Sequence, residues 1–465
     1  MPPFLPESFL TLLTAFQDCF HAPSYRNFRL IVAGWVHCLG RRTVTAVALA
    51  SGAGGSQHIS VFHRFFARAA WSLDALGKVI FTLALRWVPA EQPLLVLVDD
   101  TLARKRGKCV SLASMHHDPL LALPTRPCTS FGHIWVTLAL WVPLPMGHPR
   151  GFALPLLVRR YTSSKRGGPA DAPSRPSAGR RQQTAATAHA RRDQRTKLDL
   201  ARELVELVAG WAGERTSSVL ADSAYAAKPW LEHRPANVQF ISRLRMDAAL
   251  WTQPPARRPG QIGRPRRRGD RLPAPTAMAA ARRCWHRLTV TLYGCTVTTQ
   301  VFRRTALWYA ALPDQLVRIV VVRDPGGRRQ DDAFFCTDLQ RRAAFILEAY
   351  ARRWTLEVTL HDVKQFLGFE DPQNQTPRAV QRTAPLAFVV YDLVLLWYAD
   401  QHAQAVAPVW VLRPWFRRKT APSFLDRLTE LRRAGWRCYL SQPPSAVPQP
   451  QNSRSGWPDA VLATA

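Results

Sequence analysis

Three features of the sequence point to an α/β protein with a helical N-terminal region and a β-rich insertion. Residues 1–88 carry apolar positions at helical spacing. From Leu94 onward, short continuously apolar runs alternate with an amphipathic helical segment, as strands and helices of one layered core would. Beyond residue 250, Pro- and Arg-rich stretches bracket a segment, Leu288 to Val301, in which apolar and polar residues alternate.

The chain has 465 residues, length enough for about three domains at roughly 150 residues each. With 47% apolar residues it can bury a large core, which excludes a disordered chain and a small stapled scaffold. Its formal net charge of +31 speaks against a free-standing metabolic enzyme, because such a charge repels itself unless a polyanion neutralises it. Nucleic acid is the expected partner and a membrane surface the second choice. Only eight of the 63 basic residues are Lys, a coding-bias skew that discounts Arg-rich stretches. The eight Cys form no C-x-x-C pair and suit reduced cytoplasmic thiols. The N-terminus lacks the basic region of a signal peptide. The most apolar run, Pro385 to Tyr398, contains Asp392 and is too short to span a bilayer.

Taken in order, Phe28–Leu39, Thr43–Ala50 and Ile59–Trp71 read as helices, a loose helix-turn-helix outline that makes residues 1–88 a candidate DNA-binding domain. Leu94 to Val98 is a strand buried on both faces and ends in Asp99-Asp100-Thr101. His133–Val142 and Phe152–Arg159 are further strands. Ser163–Arg195 is polar and expected to be loop or disordered. Leu198–Trp211 is a helix, Val219–Ala221 a short strand running into Asp222, and Val238–Leu244 another strand. Residues 89–250 thus form the first part of the core, and 251–337 a basic linker with the β-rich insertion, including a hairpin at Gly294 and a strand at Ile319–Val322. Residues 338–400 return to the core, and 401–465 end in a tail, from Ser441, expected to be disordered.

The most informative helix is expected from Leu339 to Leu367, with Thr337 and Gln340 at capping-box spacing and Gly368 at its stop. Tyr350, Arg353, Glu357 and Lys364 share the face of its apolar stripe, within an arc of roughly 60° at about 100° per residue. A carboxylate and two cations facing inward need partners or a ligand. A salt-bridge network on a wide amphipathic helix is one reading. The other is a site, because Asp100 and Asp222 end two strands and can converge with Glu357 at one sheet edge. Such a cluster of hard oxygen ligands needs divalent metal to hold it, Mg²⁺ with Mn²⁺ as substitute, and two ions suit phosphodiester cleavage.

Asp100-Thr101, Asp222 within Ala221-Asp222-Ser223-Ala224-Tyr225, Ser242-Arg243-Leu244-Arg245, and Tyr350-x2-Arg353-x3-Glu357-x6-Lys364 resemble the DDE transposases of bacterial insertion sequences, the branch with a Y-R-E-K signature. The resemblance covers about residues 25–400. It implies a ribonuclease H-like catalytic core interrupted by the β-rich insertion, and cleavage of transposon ends followed by transfer of the freed 3′-hydroxyl to target DNA. It implies Asp100, Asp222 and Glu357 as ligands of two metal ions, and Tyr350, Arg353 and Lys364 as groups gripping the phosphates of the cleaved end. Its partners would be double-stranded DNA and, when DNA-bound, a second copy of the chain. Its place would be the bacterial cytoplasm, at the nucleoid. Strand alternation cannot choose between Asp99 and Asp100; the family pattern of Asp before Thr favours Asp100.

Arg104 and Lys105, just past the first Asp motif, are candidate DNA contacts, as are Arg243 and Arg245 on one strand face. Trp285 and Trp308 are candidates for stacking on a flipped base, with core packing the alternative. Gly263-Arg264-Pro265 has the look of a minor-groove arm. His116-His117-Asp118 is a poor metal site, since adjacent histidines rarely aim at one ion. Two rival functions remain on sequence alone: a catalytically silent DNA-binding descendant, and a metal-dependent nuclease without strand transfer.

Overall fold

A computed structural model describes residues 5–53, 57–123, 125–146, 150–162, 195–256, 262–403 and 419–441. Five helices open the chain: α1 (Glu7–Thr14), α2 (Ala22–His37), α3 (Val44–Ala50), α4 (Ser60–Ala67) and α5 (Leu73–Leu85). Thr43 starts α3 by accepting a hydrogen bond from the Ala46 N–H, an N-cap that satisfies an otherwise orphaned donor.

The sheet begins with β1 (Leu94–Arg104), β2 (Ser114–His117), β3 (Thr129–Val142) and β4 (Phe152–Tyr161). Then come α6 (Lys197–Ala212), β5 (Ser217–Ala221), the short α7 (Lys228–Glu232) and β6 (Val238–Leu244). β1 lies between β3, antiparallel to it, and β5, parallel to it. β4 runs antiparallel to β3, and β6 parallel to β5. Three antiparallel strands, a helix, and two parallel strands around a central β1 are the ribonuclease H-like core.

The insertion holds β7 (Leu250–Trp251), β8 (Arg271–Leu272), α8 (Pro275–Ala281), β9 (His286–Leu292), β10 (Cys295–Leu307), β11 (Leu316–Arg323) and β12 (Asp332–Cys336). The expected hairpin is present, and Tyr293 and Gly294 turn it with φ of 53° and 82°. β12 pairs antiparallel with β6, so insertion and core share one 12-stranded sheet.

Among the described residues, four helices follow: α9 (Ala343–Arg352), α10 (Trp354–Leu367), α11 (Pro377–His402) and α12 (Phe424–Leu440). The single helix expected from Leu339 starts later and breaks once. Thr337 does not cap it, because its hydroxyl and N–H are both committed to Phe240 of β6. At Arg353 the N–H donates to the Tyr350 carbonyl (3.0 Å), a three-residue step in place of four. Gly368 ends α10 in the left-handed region at φ 61°, as expected.

α11 contains the apolar run Pro385–Tyr398. It is the one helix among the described residues long and apolar enough to cross a membrane, yet 94% of its most apolar stretch is buried inside the protein. It packs against α4, α5 and β4, so the N-terminal helices and the sheet bury their apolar faces in one core. The indole of Trp35 in α2 donates to the Leu367 carbonyl at the end of α10 (2.9 Å), and Arg382 of α11 donates to Phe66 and Ala69 carbonyls. All eight cysteines are unpaired. The expectations for Ser163–Arg195 and for the tail from Ser441 fall, but for Arg195 and Ser441 themselves, outside the described residues.

Candidate active site

β1 is apolar through Val98 and then presents Asp99 and Asp100 to opposite faces of the sheet, since strand side chains alternate. Val98 pairs with Ala221 of β5 in parallel register. Asp99 and Asp222 each follow directly on that paired stretch. Asp222 keeps an extended backbone (φ −68°, ψ 162°) and caps the turn Ser223–Tyr225, accepting from the Ser223 N–H at 2.6 Å.

The third carboxylate comes from the broken helix. Arg353, at the break, donates to Asp99 Oδ2 (2.9 Å) and to Glu357 Oε1 (2.6 Å). One guanidinium therefore joins a strand-end carboxylate to the helix carboxylate. Burial pushes the Asp99 carboxyl up to about 6, against the pull of Arg353. Burial also works against the Arg353 charge, but Asp99, Tyr350 and Glu357 hold its pKa above the usual value. Tyr350 packs on Phe334 of β12, ring centroids 4.9 Å apart. Its hydroxyl is pushed up by burial first, with the Asp222 charge adding to the effect.

Asp100 sits on the other face. Its oxygens accept from Lys197 Nζ (2.6 Å), at the start of α6, and from the Tyr225 hydroxyl (2.7 Å). Glu357 is thus joined through Arg353 to Asp99, while Asp100, expected beside Glu357, is held by Lys197 and Tyr225. Tyr225 and Lys197 were not anticipated as site residues. Burial raises the Tyr225 phenol, and Asp100, Asp99 and Asp222 all add to the effect, so Tyr225 stands within reach of all three charges.

Lys364 reaches β1 as well, donating to the Leu102 carbonyl (2.7 Å) with Glu370 at 3.7 Å. Two of the four residues of the Y-R-E-K pattern therefore contact β1 directly, and Glu357 is tied to it through Arg353. Arg104 and Lys105, expected as DNA contacts, are both held by protein oxygens. Arg104 makes a two-pronged pair with the buried Asp118, and Lys105 is 6% exposed, donating to the carbonyls of Glu370 and Pro372. Their unpaired burial would be costly, so both are tied to protein oxygens. Arg243 is exposed and pairs with Asp332 on β12; Arg245 pairs with Asp247. Trp308 packs on Phe335 and Trp285 on Phe302, both in the insertion's own packing. Arg268, in the expected arm, lies 3.9 Å over the Trp251 ring.

Among the described residues no group of three or more His, Cys, Asp or Glu stands close enough to hold a metal ion. The donor chemistry nevertheless fits a divalent cation. Asp99 and Glu357 already converge on one positive centre, the Arg353 guanidinium, and both offer hard carboxylate oxygens.

A family model described as DDE superfamily endonuclease matches residues 15–310. The chain belongs to that family. The matched stretch includes Asp99, Asp100 and Asp222 and ends before Glu357. Among solved structures, a piggyBac transposase synaptic complex with hairpin DNA is similar at 8% identity and a TM-score of 0.38, over 95% of this chain and 79% of that one. No curated protein matches the chain.

Proposed function

We propose that this DDE-family endonuclease is a DNA transposase of the insertion-sequence type with the Y-R-E-K pattern. It cleaves double-stranded DNA at transposon ends and joins the freed 3′-hydroxyl to target DNA, working as a dimer on paired ends. The observation that carries this reading is the Arg353 bridge between Asp99 and Glu357, with Asp222 directly following the stretch of β5 that pairs with β1.

Asp99, Asp222 and Glu357 would hold the divalent ions, Mg²⁺ or Mn²⁺. When bound, such ions activate the attacking oxygen and stabilise the leaving one. Arg353 orients the two carboxylates it bridges. With Tyr350 and Lys364 it lines the same face and supplies charge suited to phosphate oxygens. Tyr225 and Lys197 hold Asp100 on the opposite face and thereby fix the end of β1, which sets the direction of Asp99.

The test is excision of a marker flanked by the gene's native borders, with the protein supplied in trans, followed by strand transfer from a pre-cut end. Wild type should excise and join. Glu357→Gln, which keeps shape but removes a charge, should do neither. Equal excision by both proteins would remove Glu357 from the reaction, and cleavage without joining would reduce the function to a nuclease.

A further inference from the structure

A groove of about 610 Å³ opens at the edge of the core where β4 ends, walled by the α4–α5 link, the start of α11 and the start of α6. Arg159, Arg160, Arg195, Arg378 and Arg382 all line it. Two acids answer them: Asp74 and Glu203 pair with Arg159, and Glu203 also with Arg195. Among the described residues, the other three arginines have no carboxylate partner. Arg160 donates to the Leu112 and Tyr161 carbonyls, and its Nε is shielded with no partner. Arg378 donates, among the described residues, to the Arg68 carbonyl at 3.4 Å. Arg382 is 8% exposed, fixed by backbone carbonyls and by the Trp71 ring at 4.4 Å.

The groove has a fixed relation to the carboxylates. Asp100 pairs with Val136 of β3, which pairs with Arg159 of β4; Thr101 pairs with Trp135, which pairs with Arg160. Two strand spacings, roughly 10 Å, thus separate the acid-bearing stretch of β1 from the arginines. That is the scale of a few phosphates along one strand of a duplex.

The geometry points to this groove as a track for the phosphodiester backbone of DNA, contacted without reading base sequence. The inference rests on the transposase reading and deepens it. Fixed guanidiniums in a groove with surplus positive charge suit phosphate oxygens. The groove's two tryptophans, Trp71 and Trp135, are buried and leave no ring face open for base stacking, which favours backbone over bases.

Arg378 and Gln381 are exposed on the first turns of α11, where added acid favours the helix, so Arg378→Glu/Gln381→Glu should fold. Binding of the full chain to a 30-base-pair border duplex and to a scrambled duplex would be followed by fluorescence anisotropy across a salt series. An Arg287→Glu chain, altered on exposed β9, serves as the charge control. The double variant should bind both duplexes at least tenfold more weakly at low salt, with the slope of log affinity against log salt reduced by about one for each phosphate no longer neutralised. An unchanged slope, an equal weakening in the Arg287→Glu control, or a weakening confined to the border duplex would overturn the groove assignment while leaving the transposase reading intact. Failure of wild type to bind either duplex would overturn both.

Discussion

Arg353 is the residue on which the site turns. It ends α9, starts α10, and ties Asp99 to Glu357 with two nitrogens of one planar group. A lysine there would offer a single nitrogen in place of the rigid fork whose two nitrogens reach the two carboxylates separately. The neighbouring pair Asp99 and Asp100 separates the two faces of β1. Asp99→Asn should therefore reduce DNA cleavage to background, whereas Asp100→Asn should leave cleavage measurable on the same substrate; the reverse pattern would return the role to Asp100. A second residue-scale outcome concerns His133 on β3. It is 1% exposed, its Nε2–H donates to the Ser111 carbonyl (2.9 Å), and burial lowers its pKa to about 4. The folded state thus keeps it neutral while the unfolded chain titrates at its ordinary value. Its stabilisation is complete above that ordinary value and is lost as pH falls toward 4, by about 3 kcal/mol in all. Urea titrations at pH 7 and pH 4.5 should show that loss, and His133→Gln should reduce it. At this scale the helical placement of Tyr350, Arg353, Glu357 and Lys364 and the strand-end position of Asp222 were legible from spacing. The face of Asp99, the inward turn of Lys105 and the Lys197 contact were not, because each depends on a strand register or on a partner far away in sequence.

Elements set by local signals were read well, and those set by distant pairing were not. The apolar runs of β1, β3, β4, β5 and β6 and the Gly294 hairpin were visible, since periodicity and turn residues are local. β2, β7, β8 and β12 were missed: they are two to five residues long and exist through their neighbours. The break at Arg353 carried no Pro or Gly to announce it. The helix stop at Gly368 did, and it supports a prediction. At φ 61° a Cβ there would stand 2.2 Å from Asp371 Oδ2, the atom that accepts from the Arg42 N–H at 2.9 Å. Gly368→Ala should cost at least about 1–2 kcal/mol from the left-handed backbone alone, read as a lower denaturation midpoint. An unchanged midpoint would mean that the end of α10 tolerates the added carbon.

For the molecule as a whole, a charge of +31 and an apolar fraction of 47% already spoke for a folded chain that needs a polyanion, and the ribonuclease H-like order of strands and helix was recoverable from the sequence. What composition could not convey was the joining of parts. The N-terminal helices read as a separate region, but their apolar faces share the core with α11 and the sheet. The insertion read from the sequence is joined to the core by pairing, for β12 bonds along β6 from Leu244 to Ile241. That seam has a mechanical meaning. A lobe joined by a loop can hinge on its tether, whereas one joined by a ladder of backbone hydrogen bonds can only twist with the strands it continues. Displacing the β9–β10 hairpin would therefore apply torque through β11, β12 and β6 to β5, the strand that ends at Asp222. The lever and the strand end that carries Asp222 are a single elastic body.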